Sequence, residues 1–168
     1  CMDRGTTNEA IELLTDLAGR FEACGSIENA LKQLQRILQL QPNHLETLEA
    51  LFRLYQIQGD RDNVVNVLER LGQIQEERGY VQKAVEIHLK LLALDPNHVE
   101  ALSGIERAAR VPGQMRSILA LLNEALDKAF QEKSEDEVDA LGRLYLRLDP
   151  HSDHLRVRLP EVWLWKGQ

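Results

Sequence analysis

The chain is poor in the residues that announce a chemistry. Its 168 residues include two cysteines, Cys1 and Cys24, and no CxxC, which excludes a disulfide framework and a cysteine-built zinc site. The simplest setting for such a chain is a reducing, cytoplasmic one. Aromatic residues make up only 5%, with 10 glycines and 5 prolines. Long apolar runs are missing: the longest stretch without a charged side chain is the nine residues Ile37 to Leu45. A membrane-spanning helix needs about 20, so no such segment is present. Positive charge is in deficit, with 20 Lys and Arg against 27 Asp and Glu and a net charge of −7. That balance excludes a general nucleic-acid binder, because a phosphate backbone requires a positive footprint. GxSxG, P-loop, GxGxxG, HExxH and EF-hand patterns are all absent.

What is abundant is leucine, at 29 residues, and alanine, at 14. With Glu, Gln and Arg these residues lose little freedom on entering a helix, so the composition is that of an all-α protein. The dominant signal is internal repetition. Leu38-Gln39-Leu40-Gln41-Pro42 returns as Leu92-Ala93-Leu94-Asp95-Pro96 and as Leu146-Arg147-Leu148-Asp149-Pro150, with the prolines 54 residues apart. Pro42-Asn43-His44-Leu45-Glu46 returns as Pro96-Asn97-His98-Val99-Glu100, and Gly25 and Ala30 return as Gly79 and Ala84. Fixed-period self-similarity is the signature of a stacked repeat.

Apolar spacing predicts eight helices, over about 7–24, 26–40, 43–58, 61–78, 80–94, 97–110, 113–132 and 134–148. Asn43 and Asn97 are the expected N-caps of the third and sixth helices. Ser134 and Glu137, and Thr6 with Glu9, have the spacing of capping boxes. Gly25, Gly59 and Gly79 fall where one helix should stop. Connections this short make neighbouring helices antiparallel. Small residues such as Ala18, Ala30, Gly72 and Ala84 admit close helix approach. Leu68, Leu71, Ala84, Leu92 and Leu102 are the expected core between adjacent helices.

These spacings resemble the tetratricopeptide repeat, a two-helix motif of 34 residues. Over 11–44 the pattern is carried by Leu14, Leu17, Ala18, Phe21, Ala30 and Pro42, and over 65–98 by Leu68, Leu71, Gly72, Ala84 and Pro96. Residues 45–78 match in part through Leu48, Leu51, Phe52, Tyr55, Gly59 and Val64, and 119–152 through Leu122, Ala125, Val138 and Pro150. The chain departs from the family in running at 34 plus 20 residues, a three-helix unit. The resemblance implies a right-handed α-solenoid of about eight antiparallel helices over residues 1–150, followed by a capping or tail segment, 151–168.

The same resemblance implies a protein or peptide partner along the face of the first helices of each pair. Carried over by position, that face holds Glu12, Thr15 and Glu22; Glu46, Glu49, Arg53 and Gln56; Glu69, Gln73 and Glu76; Glu100, Arg107 and Arg110. Its excess of glutamates points to a basic or amphipathic segment. The lysine and asparagine positions of the chaperone-peptide clamp are here Thr15, Gly19 and Ala50, which does not support that specificity. Residues 143–168 carry net +2 and residues 1–142 net −9, so the tail with Trp163 and Trp165 is the second candidate contact, as a partner anchor or as a cap on the last helix.

Histidines and carboxylates invite other readings. His151 and His154 beside Asp149 and Asp153 form no ligand spacing and read as a polar turn, so no metal or other cofactor is expected. His44 and His98 recur with the repeat, and His88 stands at a packing position as a core or half-buried histidine. Glu76-Glu77 and Glu135-Asp136-Glu137 read as solvated faces rather than acid–base pairs. The expectation is a non-enzymatic interaction scaffold or adaptor. Two alternatives stand beside it: a lipid-anchored assembly factor of a bacterial envelope, with Cys1 as the lipidated residue, and the interaction or regulatory domain of a longer protein.

Overall fold

In a computed structural model, residues 4–152 are described. They form eight α-helices: α1 (Arg4–Ala23), α2 (Ile27–Leu40), α3 (Leu45–Gln58), α4 (Arg61–Glu77), α5 (Val81–Leu94), α6 (Val99–Ala109), α7 (Met115–Glu132) and α8 (Glu135–Leu148). No strand occurs among the described residues. Each expected helix is present, with its ends within three residues of the periodicity reading.

The starts correct that reading in chemical detail. Histidine, not asparagine, caps α3 and α6: His44 Nδ1 accepts the Thr47 N–H at 3.3 Å, and His98 Nδ1 accepts the Ala101 N–H at 3.2 Å. Nδ1 of histidine stands as many bonds from Cα as the asparagine side-chain oxygen, so it reaches the same donor. Glu46 and Glu100 therefore occupy the second helical position, too early for a capping box but still against the positive end of the helix. Thr6 and Thr7 lie inside α1, which begins at Arg4. Ser134 caps α8 by position without a side-chain cap bond, and its hydroxyl instead donates to the Glu137 carboxylate.

Helix ends follow backbone handedness. Gly79 turns the chain between α4 and α5 with φ +74°, which a residue lacking Cβ adopts without strain. Lys133 makes the equivalent turn between α7 and α8 with φ +56°.

The described residues fall into two compact units that part between Val67 and Leu68, inside α4. In the first, α1 packs on α2 and α2 on α3. Its core is Ile11, Ala18, Ala30, Leu34, Ile37, Leu48, Leu51 and Leu54. In the second, α5 packs on α6 and α7, and α8 on α7, α6 and α5. There Leu68, Leu71, Ala84, Leu92 and Leu122 are buried, as expected from the repeat pattern, and with them Ile105 and Leu141. Leu102 is only half-buried, contrary to expectation. The contact face of α6 is Ala101, Gly104, Ile105 and Ala108, and Leu102 stands to one side of it on the rim of a groove beside α8. Leu17 is likewise 39% exposed, off the stripe formed by Ile11 and Ala18.

Candidate functional site

Five of the nominated residues meet in the second unit. On α4, Glu69, Gln73 and Glu76 follow one another at i, i+4 and i+7 and so share a stripe. On α6, Glu100 and Arg107 are seven apart and face them. With Glu77, His88 and Leu91 these residues line a cleft of about 540 Å³. The buried side of α4, comprising Val64, Leu68, Leu71 and Gln75, turns that stripe away from the core.

The cleft is wired together. Arg107 Nη2 donates to both oxygens of Glu76, at 3.1 and 3.0 Å, and to Glu100 Oε1 at 2.7 Å. His88 Nε2 lies 2.6 Å from Glu76 Oε1, and its side chain is only 4% exposed. Burial would raise the Glu76 pKa; hydrogen bonds from His88 and Arg107 outweigh it and hold the carboxyl below its ordinary value. The hydrogen bond to Glu100, then that to Glu76, raises the Arg107 pKa in turn. His98 ties the cap of α6 to α4: Nδ1 takes the backbone N–H, so Nε2 carries the proton and donates to Glu69 Oε1 at 3.0 Å. Gln73 donates to Glu77 at 3.3 Å.

Other nominated residues lie elsewhere. In the first unit, Glu12 and Glu46 line a second cleft of about 540 Å³ with Asn8, Thr15, Asp16 and His44. Glu49 is exposed on α3, and Arg53 stands 3.6 Å from Glu22. Arg110 is exposed at the end of α6, outside the cleft. Cys1, Trp163 and Trp165 lie outside the described residues. Among the described residues no group of three or more His, Cys, Asp or Glu is placed to hold a metal ion. Nor is any helix among them long and apolar enough to cross a membrane.

A larger cavity, of about 880 Å³, opens between α6 and α8 over Leu102, Ala140 and Leu146. Its basic residues are already matched, Arg143 by Asp139 at 2.9 Å and Arg147 by Glu106 at 3.0 Å. The α4–α6 cleft differs: four carboxylates line it against one arginine.

Sequence reasoning did not single out Gly104. A Cβ there would come within 2.3 Å of His88 Nε2, and one at Gly72 within 3.1 Å of His88 Cε1. The available signal was a glycine in the middle of a helical stretch, which weakens a helix and marks close packing.

Among solved structures, the chain is similar to MamA at 17% identity over 92% of this chain and 91% of that one, with a TM-score of 0.40. It is similar to TTC0263, a thermophilic tetratricopeptide-repeat protein of Thermus thermophilus, at 17% identity over 92% and 99%, TM-score 0.33. It is also similar to a mutant O-GlcNAc transferase of Thermobaculum terrenum, at 21% identity over 78% of this chain and 27% of that one, TM-score 0.38. No family model and no curated protein matches the chain.

Proposed function

We propose that the chain is a non-enzymatic protein-interaction scaffold and that the α4–α6 cleft of its second unit receives a basic or amphipathic segment of a partner. One observation carries the reading. Glu69, Glu76, Glu77 and Glu100 surround the cleft, and Arg107 is already engaged by two of them. The uncompensated charge is therefore negative. A concave surface of one sign raises the local concentration of cationic groups and speeds their encounter. Stacked helical pairs suit this role because they present extended surfaces to chains laid across them.

The test is the association rate of a lysine-rich peptide with the chain and with Glu69→Lys/Glu77→Lys, both exposed positions, of which Glu69 also accepts the His98 hydrogen bond. Circular dichroism confirms unchanged helicity. The variant is expected to associate more slowly and to lose most of the salt dependence shown by the parent. An unchanged rate at low ionic strength would refute this site and turn attention to the tail around Arg156, Arg158, Trp163 and Trp165.

A further inference from the structure

His88 lies at the back of the cleft and offers nothing to a visiting ligand, since its side chain is 4% exposed. Its placement is nonetheless specific. The imidazole fills the space left by two glycines on the flanking helices. A methyl group at Gly104 would stand 2.3 Å from Nε2 and 2.6 Å from Cδ2, and one at Gly72 would stand 3.1 Å from Cε1. Nδ1 is buried without a hydrogen-bond partner. The ring is therefore oriented by the two glycine surfaces and by one hydrogen bond, from Nε2 to Glu76 Oε1 at 2.6 Å. A carboxylate can only accept, so Nε2 carries the proton.

That single bond has consequences at the surface. Glu76 Oε1 takes His88 at 2.6 Å and Arg107 at 3.1 Å, and Oε2 takes Arg107 at 3.0 Å. Both oxygens are committed inward and toward α6, and the same Arg107 nitrogen reaches Glu100 at 2.7 Å. Without the imidazole donor the Glu76 carboxylate would keep only Arg107 and would swing toward water, taking the arginine with it. A buried hydrogen bond to an ionised group is among the stronger side-chain interactions, and a ring packed against backbone loses little further entropy in making it.

We propose that His88 is the positioning residue of this cleft: its Nε2–H fixes the Glu76 carboxylate so that Arg107 spans Glu76 and Glu100, leaving Glu69 and Glu77 as the carboxylates that meet a cationic side chain of the partner. The second half of the statement rests on the binding function proposed above; the first half stands on geometry alone.

The two halves are tested separately. Carboxyl NMR titration of Glu76 needs no ligand. In His88→Leu, which keeps the bulk and removes the donor, Glu76 is expected to titrate closer to the ordinary carboxylate range. In His88→Gln, which restores an N–H near the Nε2 position, it should return toward the parent value. A Glu76 titration that does not move in folded His88→Leu, or a glutamine variant that behaves like leucine, overturns the proposal. Should the leucine variant fail to fold, the parent chain and Glu76→Gln decide the matter. Nitrogen-15 spectra must then show a proton on Nε2, with its signal displaced in Glu76→Gln, and a ring protonated on Nδ1 alone overturns the proposal. The second half is read with a peptide of alternating lysine and alanine. Its affinity should fall about tenfold in His88→Leu and recover in His88→Gln, the scale of one charge-assisted hydrogen bond. A Glu76 titration that shifts as expected while the peptide binds neither protein would defeat the binding function and uphold the positioning role.

Discussion

At the residue scale, the second unit is governed by a few positions held where space and water are scarce. Gly104 is the tightest of them: the space above its Cα belongs to the His88 ring. Gly104→Ala should therefore destabilise the fold by about 1–3 kcal/mol, as overpacking does, even though alanine is the better helix former. Urea denaturation reads the sign directly. Glu76 and Glu137 pull in opposite directions with pH. Glu76 is held below its ordinary pKa, so its contribution is present above that value and is lost as the pH falls through the folded one. Glu137 is pushed up, chiefly by burial and further by Glu132, against the hydrogen bond to Ser134 and the charge of Lys128. Its contribution is complete below the ordinary carboxylate value and is lost as the pH rises through the folded one. Glu137→Gln is thus expected to raise the melting temperature at pH 7 and to give no gain at pH 3, measured by thermal unfolding at both.

At the element scale, helices are delimited by local chemistry and placed by their buried stripes. Leu71 is 4% exposed on α4, and Leu71→Ala should cost about 2–5 kcal/mol in a denaturation experiment, the range for deleting a buried leucine side chain. A near-zero change would mean that α4 presents a different face. The turn between α7 and α8 is the other test. Lys133 adopts φ +56° where the turn between α4 and α5 uses Gly79. A side chain in this conformation costs about 1–2 kcal/mol, part of which glycine gives back through the freer unfolded chain. Lys133→Gly should stabilise by about 0.5–1 kcal/mol, visible as a higher urea midpoint with an unchanged slope.

At the scale of the whole molecule, charge is the property that reaches furthest. The chain carries −7 overall, and the excess of acid lies in residues 1–142. Exposed charges act over about 8 Å at physiological ionic strength and further in dilute salt. At low salt the chain should therefore bind a lysine-rich peptide and leave duplex DNA unretarded in a gel. Retardation of DNA that is abolished by neutralising Arg156 and Arg158 would show the tail acting apart from the acidic surface.

The sequence by itself determined the helices, their number, their ends to within three residues, and most of the leucine and alanine positions that fill the core. These are consequences of period and of local backbone chemistry, which act between residues close in the chain. It also placed Glu69, Gln73 and Glu76 on one stripe, because i, i+4 and i+7 superimpose on any α-helix. It misjudged the caps, choosing Asn43 and Asn97 over His44 and His98, because both side chains offer an acceptor at the same reach and only the path of the chain after Pro42 and Pro96 selects between them. It counted Leu102 into the core, because period assigns a residue to a side of its own helix and not to the neighbour that covers that side. What only the tertiary structure decided is which charges meet. Glu76, His88 and Arg107 are 12 and 19 residues apart in sequence and belong to three helices. Their contact depends on Gly72 and Gly104 leaving room for one imidazole ring between α4 and α6. That fit arises from packing between elements, which no local pattern encodes.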